Sequence, residues 1–304
     1  MSAVHRTLAA VDRFLFAPVD ARPVAVMRIT WCLLMLWSWV WLGPELDTFF
    51  VADSIHDPRL VERHWKNTSY LAISMDWSAG SVHLAHLGGV GLLLLYLFGF
   101  GTDVVKFLVV GMLVATYHRA PWIWNGGDRL MRIWGILLCF TSSGAVWSVD
   151  AWIKQKLGWK PRTTVPVLVH RLIALQLVVM YTYTGIDKAL VSYWQEGTAV
   201  YWAMSDAGYS RASWLYDPLL QTTVGVWLTG LLTYFTLVFE LGFGPAILWK
   251  RTRPLAVAAG VALHTGIFFT LSVGMFGPAS VWGYQALLPW ALRRPEAADD
   301  AAEE

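Results

Sequence analysis

Five sites in the sequence place ionisable side chains within or at the edge of long apolar runs: Arg28, His170–Arg171, Asp187–Lys188, Glu240 and His264. An ionisable group costs free energy in such a run, so each site is a candidate functional position. Amines, imidazoles and carboxylates in apolar surroundings can pair with one another or transfer protons. The sequence therefore predicts acid–base chemistry in an apolar setting.

Lys188 has the surroundings that a general base needs. It ends the stretch RLIALQLVVMYTYTGIDK and is followed by ALVSYWQEGTAVYW, so its amine lies among aromatic residues. Desolvation favours the neutral form of an amine, which is the form that accepts a proton. The alternative is an anchoring ion pair with Asp187, but adjacent residues of a helix point in different directions. The aromatic neighbours are Tyr181, Tyr183, Tyr193, Trp194, Tyr201 and Trp202.

The other ionisable residues have a structural alternative. Long side chains near the ends of apolar runs reach polar surroundings, and ion pairs orient helices there. We interpret Arg171 and Glu240 as structural polar residues and expect an Arg171–Glu240 pair between neighbouring helices. His264 lies deeper, within ALHTGIFFTLSVGMFG, where a buried imidazole needs a hydrogen-bond partner. It is either a satisfied core histidine or a member of the site.

A polar turn follows the aromatic segment PWIW: Asn125-Gly126-Gly127-Asp128-Arg129. Glycines let the backbone approach a ligand closely, whereas Asp128 can instead cap the helix that follows. We place this turn beside Lys188 in a substrate-binding site. The lining residues that we expect are Asn125, Asp128, Arg129, Tyr181 and Trp194, with His264 also at the site.

Other kinds of site lack a motif. The eight histidines are scattered, and Cys32 and Cys139 both lie in apolar runs, so we expect no metal site. The sequence contains no HExxH, CxxC, nucleophile elbow, GxGxxG or Walker pattern. A net charge of +2 without a basic patch predicts no nucleic-acid partner.

The composition indicates helices that cross a membrane. The 304 residues are 56% hydrophobic and 14% charged, with 19 tryptophans, whereas soluble domains have about 25% charged residues. We predict an all-α integral membrane protein, a polytopic bundle of about eight transmembrane helices, because the apolar runs are long enough to cross a bilayer. The predicted spans are 24–42, 83–99, 104–118, 131–149, 165–186, 222–248, 255–276 and 278–292.

The distribution of lysine and arginine predicts the orientation. Basic residues cluster before the first span, between the fourth and fifth, after the sixth and after the last. These segments belong on the cytoplasmic side by the positive-inside rule, which places both termini in the cytoplasm and the site outward. We divide the chain into an amphipathic cytoplasmic-side segment (1–22), a transmembrane domain (23–292) and an acidic cytoplasmic tail (293–304).

Three stretches resemble the vitamin K-dependent γ-glutamyl carboxylase family, specifically its membrane part, the horizontally transferred transmembrane domain. The first runs from Asn125 to Asp150 and ends in WSVD. The second is QLVVMYTYTGIDKALVSYWQEGTAVYW at 176–202, and the third is HTGIFFTLSVGMF at 264–276. The second stretch is the most specific, because it combines G-x-x-K with W-x-x-G. The resemblance covers most of residues 1–290.

The resemblance implies a reaction. In that family the lysine that matches Lys188 deprotonates reduced vitamin K, whose reaction with oxygen gives an epoxide and a strong base. That base removes a γ-proton from glutamate, and carbon dioxide then adds. The resemblance thus implies a quinol-epoxidising oxygenase and carbon–carbon lyase, with Lys188 and His264 as catalytic residues. Reduced vitamin K or menaquinone, O2 and CO2 would be co-substrates, and membrane lipid and a secreted peptide or protein would be partners. The resemblance also implies a carboxylase-like domain over 23–292, quinone binding at the predicted site and a location in the bacterial inner (plasma) membrane.

One departure favours quinol oxidation over carboxylation. The carboxylases have a histidine in the polar turn that is implicated in carboxylation, and the position that we match to it is Gly127. Two other functions stay open. Short relatives resemble membrane maturation factors for a secreted peptide toxin, which act beside a small partner protein. A non-catalytic quinone or lipid carrier could also use this bundle.

Overall fold

A computed structural model describes residues 3–51, 54, 55, 61, 63, 64, 77–160 and 162–292. The predicted acidic tail, 293–304, lies outside the described residues. The chain forms two compact units. One contains Met1–Val169 and the chain from Pro289 onward, and the other is His170–Leu288.

The first unit is mainly helical, with one two-stranded antiparallel sheet in which Val19 pairs with Val165. Short 3-10 helices occupy Gly43–Glu45 and Pro289–Leu292. Its other described elements are α1 Ala3–Phe16, β1 Pro18–Asp20, α2 Arg22–Leu42, α3 Leu46–Phe49, α4 Ala79–Phe98, α5 Thr102–Arg119, α6 Gly126–Leu138, α7 Val149–Lys156 and β2 Thr164–Pro166.

Buried side chains of α2 hold the first unit together. The Trp31 indole donates a hydrogen bond to the Met131 carbonyl of α6 at 2.8 Å. Gly135 makes this contact possible, because a Cβ there would lie 2.6 Å from the Trp31 ring. The buried Arg28 guanidinium donates to the carbonyls of Ser143 at 2.7 Å and Trp147 at 2.6 Å. Arg28 therefore fixes the turn that follows α6, which is a structural role.

The second unit is built around three long helices. These are α8 Leu168–Ala189, whose first two residues belong to the first unit, α12 Thr223–Leu248 and α13 Arg253–Thr270. Shorter helices connect them: α9 Ser192–Gln195, α10 Ala199–Ser205, α11 Ser213–Leu220 and α14 Phe276–Gly283, followed by a 3-10 helix at Tyr284–Leu287. Helix α13 packs against both α12 and α14.

The helices only partly follow the predicted spans. Among the described residues, four helical segments are long and apolar enough to cross a membrane: Arg22–Phe49, Ala79–Phe98, Thr223–Leu248 and Arg253–Thr270. Helix α5 covers the predicted span at 104–118 and α8 covers most of the predicted span at 165–186, but neither helix is among these four. The count of about eight therefore stays a prediction.

Two of the predicted spans are wrong as continuous helices. The span at 131–149 ends at Leu138, because the small polar residues at 141–144 form turns. The span at 278–292 consists of the eight-residue helix α14 and two 3-10 helices. Gly283 and Pro289 interrupt that run, since glycine and proline weaken a continuing helix.

Candidate functional site

Lys188 and Glu240 form an ion pair in the second unit. The Lys188 amine donates to Glu240 Oε1 at 3.0 Å and to Oε2 at 2.9 Å. The Thr184 hydroxyl, one turn earlier on α8, donates to Oε2 at 3.0 Å. The Glu240 side chain is 6% exposed and the Lys188 side chain 25% exposed, so the carboxylate is enclosed and the lysine side chain is partly exposed.

Local sequence explains how the two helices bring this pair together. Gly185 of α8 faces α12 so closely that a Cβ there would lie 3.0 Å from Leu241 and 3.2 Å from Glu240. Glycine therefore permits the close approach, and Lys188, three residues further on, reaches the carboxylate. On the aromatic side, the Trp194 ring centroid lies 5.4 Å from the amine, within cation–π range.

The predicted Arg171–Glu240 pair is wrong. Glu240 is bound by Lys188 and Thr184 instead. Arg171 and Lys188 lie on the same helix, about 25 Å apart along its axis at 1.5 Å per residue, so one carboxylate cannot reach both. The predicted alternative of a Lys188–Asp187 pair is also replaced by the contact with Glu240.

Tyr181, His264 and Tyr284 form a buried hydrogen-bonded group in the same unit. Tyr181 Oη lies 2.7 Å from His264 Nε2 and also shares a hydrogen bond with Tyr284 Oη. All three residues are at most 2% exposed. Aromatic rings enclose them: the Tyr181 ring centroid lies 5.2 Å from Phe239 and 4.6 Å from Phe243. The structure thus brings Lys188, Glu240, Trp194, Tyr181 and His264 together in the second unit.

The polar turn belongs to the first unit and begins α6. Asn125 Oδ1 accepts hydrogen bonds from the backbone N–H groups of Gly127 at 2.7 Å and Asp128 at 3.3 Å. Asp128 Oδ2 in turn accepts from the Asn125 N–H at 2.9 Å. This reciprocal capping box confirms the capping alternative for Asp128. Arg129 is exposed. Ligand binding by these residues stays a prediction.

The comparison with known families gives a match along nearly the whole chain. The HTTM domain profile matches residues 16–286, which includes most of both units. The chain belongs to the HTTM domain family. This domain is found in vitamin K-dependent carboxylases, so the resemblance carried by the three sequence stretches is confirmed.

One curated relative is similar over a shorter region. The sporulation-delaying protein SdpB of Bacillus subtilis (strain 168) is 28% identical to this chain over 107 residues. The aligned part covers 34% of the chain and 32% of SdpB, about a third of each. No solved structure matches the chain.

The second unit of this HTTM domain has polar groups next to aromatic rings. His264 Nδ1 is buried and lacks a hydrogen-bond partner among the described residues. The Lys188 side chain is partly exposed; the Trp194 ring lies beside its amine, and the Phe276 ring lies 5.3 Å from the His264 ring. These side chains could hold a ligand that has an aromatic ring and polar oxygens. Among the described residues, no cluster of three or more His, Cys, Asp or Glu side chains could hold a metal ion.

Sequence reasoning missed two members of this HTTM site. Thr184 lies four residues before Lys188, on the same helix face, so the i,i+4 spacing could have indicated it. Tyr284 gave no such signal, because its position depends on the 3-10 helix that follows α14. Gly260 of α13 also escaped notice, although a Cβ there would lie 2.2 Å from Tyr284 Oη.

Proposed function

We propose that this HTTM protein is an integral membrane enzyme that oxidises a reduced quinone, vitamin K or menaquinone, to its epoxide. The single observation that carries the proposal is the family match over residues 16–286, which includes Lys188. The position of Lys188 supports it, because the lysine side chain is partly exposed and its amine lies beside Trp194.

Exposed apolar side chains support a membrane location. Helix α4 exposes Leu84 at 71% and Leu87 at 64%, and α12 exposes Trp227 at 71% and Val238 at 70%. Large apolar side chains exposed along long helices are unfavourable in water but match lipid hydrocarbon. A quinone with an isoprenoid tail dissolves in the same lipid, so the proposed substrate would reach the protein from the bilayer. We place the protein in the bacterial inner membrane, with the site facing outward and both termini in the cytoplasm.

We assign the residues of the second unit distinct roles. Lys188 accepts the proton of the quinol hydroxyl, and Trp194 and Tyr181 contribute aromatic surroundings. His264 presents its free Nδ1 to a polar oxygen of the ligand. Water excluded from such a site cannot intercept reactive species. Addition of CO2 to a glutamate of a secreted peptide or protein would be a second half-reaction, for which Gly127 supplies no imidazole.

The test is oxygen-dependent epoxidation by the purified protein in nanodiscs supplied with vitamin K or menaquinone in reduced form. We expect Lys188→Ala to lose about 10²–10⁴-fold in rate, the usual contribution of a general base. Lys250→Ala changes an exposed lysine and serves as the matched control. Full activity in Lys188→Ala would contradict the role of Lys188, and no epoxide from wild type with either quinone would contradict the proposed reaction.

A second candidate function is favoured by the similarity to the sporulation-delaying protein. In that case the protein would be a membrane maturation factor for a secreted peptide toxin, acting beside a small partner protein. The expected observation is a neighbouring gene for a small secreted precursor whose processing stops when the HTTM gene is deleted. A third candidate function is a non-catalytic quinone or lipid carrier. In a carrier, Lys188→Ala would lose ligand binding, whereas in an enzyme it would keep ligand binding and lose turnover.

A further inference from the structure

The ion pair of Lys188 conflicts with the role of a simple base. An ammonium that donates to both oxygens of a carboxylate carries its full complement of protons and cannot accept another. The pair is also costly where it is, because Glu240 is 6% exposed and a buried carboxylate loses its hydration. A base at this position therefore needs a nearby group that takes the proton of Lys188.

We propose that Glu240 is that group, so that the Lys188–Glu240 pair, holding one proton between its two members, is the base of the site. The inference rests on the proposed quinol oxidation and names its proton acceptor. Glu240 acts through Lys188 and is a positioning residue. Thr184 holds the carboxylate in place through Oε2, while both carboxylate oxygens face the amine.

The proton movements balance without any oxidant. First, one proton of the Lys188 ammonium moves along its hydrogen bond to a Glu240 oxygen, which leaves a neutral amine and a neutral carboxylic acid. The amine then accepts the proton of the phenolic hydroxyl of a bound quinol, and the ligand oxygen keeps the electron pair of the O–H bond. A ligand that displaces water favours the first step, because a neutral pair costs less than an ion pair in apolar surroundings.

Other titratable groups among the described residues also interact with this pair. Helix α13 contributes His264, which interacts electrostatically with Lys188. The 3-10 helix at Tyr284–Leu287 contributes Tyr284, and α8 itself contributes Tyr181. Both tyrosines interact electrostatically with Glu240. None of these groups is a second carboxylate. The two described hydrogen bonds of the Lys188 amine both go to Glu240. A proton of Lys188 can therefore pass directly to this carboxylate.

The first experiment measures kcat/KM for quinol epoxidation between about pH 5.5 and 9.5, because kcat/KM reports ionisations of the free enzyme. The rate of Lys188→Ala is subtracted at each pH as the background. Wild-type kcat/KM should form a broad plateau with pH, because under the proposal the proton of Lys188 passes to Glu240 and not to solvent. In Glu240→Gln that proton must leave to solvent, so kcat/KM should rise with pH from the acid end. Thr184→Val, which removes one hydrogen bond to Glu240, should keep the plateau.

A second experiment has a readout other than turnover. Acetic anhydride acylates neutral amines, and mass spectrometry can compare Lys188 with the exposed Lys250 in the same molecule. Without quinol at about pH 7.5, Lys188 should be acetylated faster in Glu240→Gln than in wild type, because the carboxylate no longer stabilises the ammonium. The Lys250 rate should stay the same.

The two readouts separate the possible failures. If Glu240→Gln and wild type have parallel pH profiles, or if the acetylation of Lys188 relative to Lys250 is unchanged, Glu240 is not the proton acceptor. If acetylation changes as expected but wild type forms no epoxide, quinol oxidation is wrong while the control of Lys188 by Glu240 stands. A uniform loss of activity with an unchanged pH profile would indicate a purely structural carboxylate and would overturn the inference.

Discussion

Asn125 shows how one residue can have a structural role and a candidate chemical role at the same time. Its side-chain oxygen accepts hydrogen bonds from two backbone N–H groups at the start of α6. These N–H groups would otherwise lack partners, because the first turn of a helix has no preceding carbonyls. Any ligand contact of Asn125 would come in addition to this capping function. Loss of activity on substitution is therefore informative only if helix stability is measured in parallel.

We predict that Asn125→Ala lowers the free energy of unfolding by about 0.5–2 kcal/mol, because the capping hydrogen bonds are lost. Asn125→Ser should keep most of the stability, since serine caps a helix nearly as well. Thermal unfolding in detergent measures both effects. A stable Asn125→Ser protein without epoxidation would indicate a direct contact with the ligand, whereas equal stability of wild type and Asn125→Ala would contradict the capping role.

At the scale of secondary-structure elements, the sequence predicted long apolar helices well and their interruptions poorly. The runs that became α2, α4 and α12 have few polar residues, so hydropathy alone defines them. The run at 131–149 failed because the residues after Leu138 form turns, where Arg28 binds the Ser143 and Trp147 carbonyls. Such a contact between residues more than a hundred positions apart is invisible to a local pattern.

The sequence indicated individual residues of the candidate site but not the contacts between them. Lys188 and Trp194 stand out by type and spacing, but the partner of Lys188 depends on which faces of α8 and α12 meet. That choice follows from the close approach at Gly185, which periodicity does not indicate. The mistaken Arg171–Glu240 pair came from treating both residues as helix-end groups without this contact.

The close packing between α13 and the 3-10 helix at Tyr284–Leu287 can be tested by filling the space beside Gly260. A Cβ at Gly260 would lie 2.2 Å from Tyr284 Oη and 2.9 Å from Phe239, so Gly260→Ala must displace Tyr284 from Tyr181. We expect a loss of about 1–3 kcal/mol, which is typical of overpacking. The matched control is Gly266→Ala on the same helix, where nothing lies within 4 Å of an added Cβ. Thermal unfolding should separate the two variants, and equal melting temperatures would contradict the packing.

For the molecule as a whole, the family match covers residues of both units, so both units are parts of one HTTM domain. Helix α12 provides the simplest link between fold and membrane. Its 26 residues extend about 39 Å at 1.5 Å per residue, more than the roughly 30 Å hydrocarbon thickness of a bilayer. If α12 crosses the membrane, the segments at its two ends must lie on opposite sides.

The proposed orientation can be tested with single cysteines on either side of α12. Asp206 and Lys250 are both exposed, and Lys250 belongs to the basic segment that the positive-inside rule places in the cytoplasm. With Cys32 and Cys139 replaced by alanine, a membrane-impermeant maleimide applied to spheroplasts should label Asp206→Cys. Lys250→Cys should react only after permeabilisation. The opposite pattern would invert the orientation and turn Lys188 toward the cytoplasm, and equal labelling of both positions in intact spheroplasts would show that α12 does not span the bilayer.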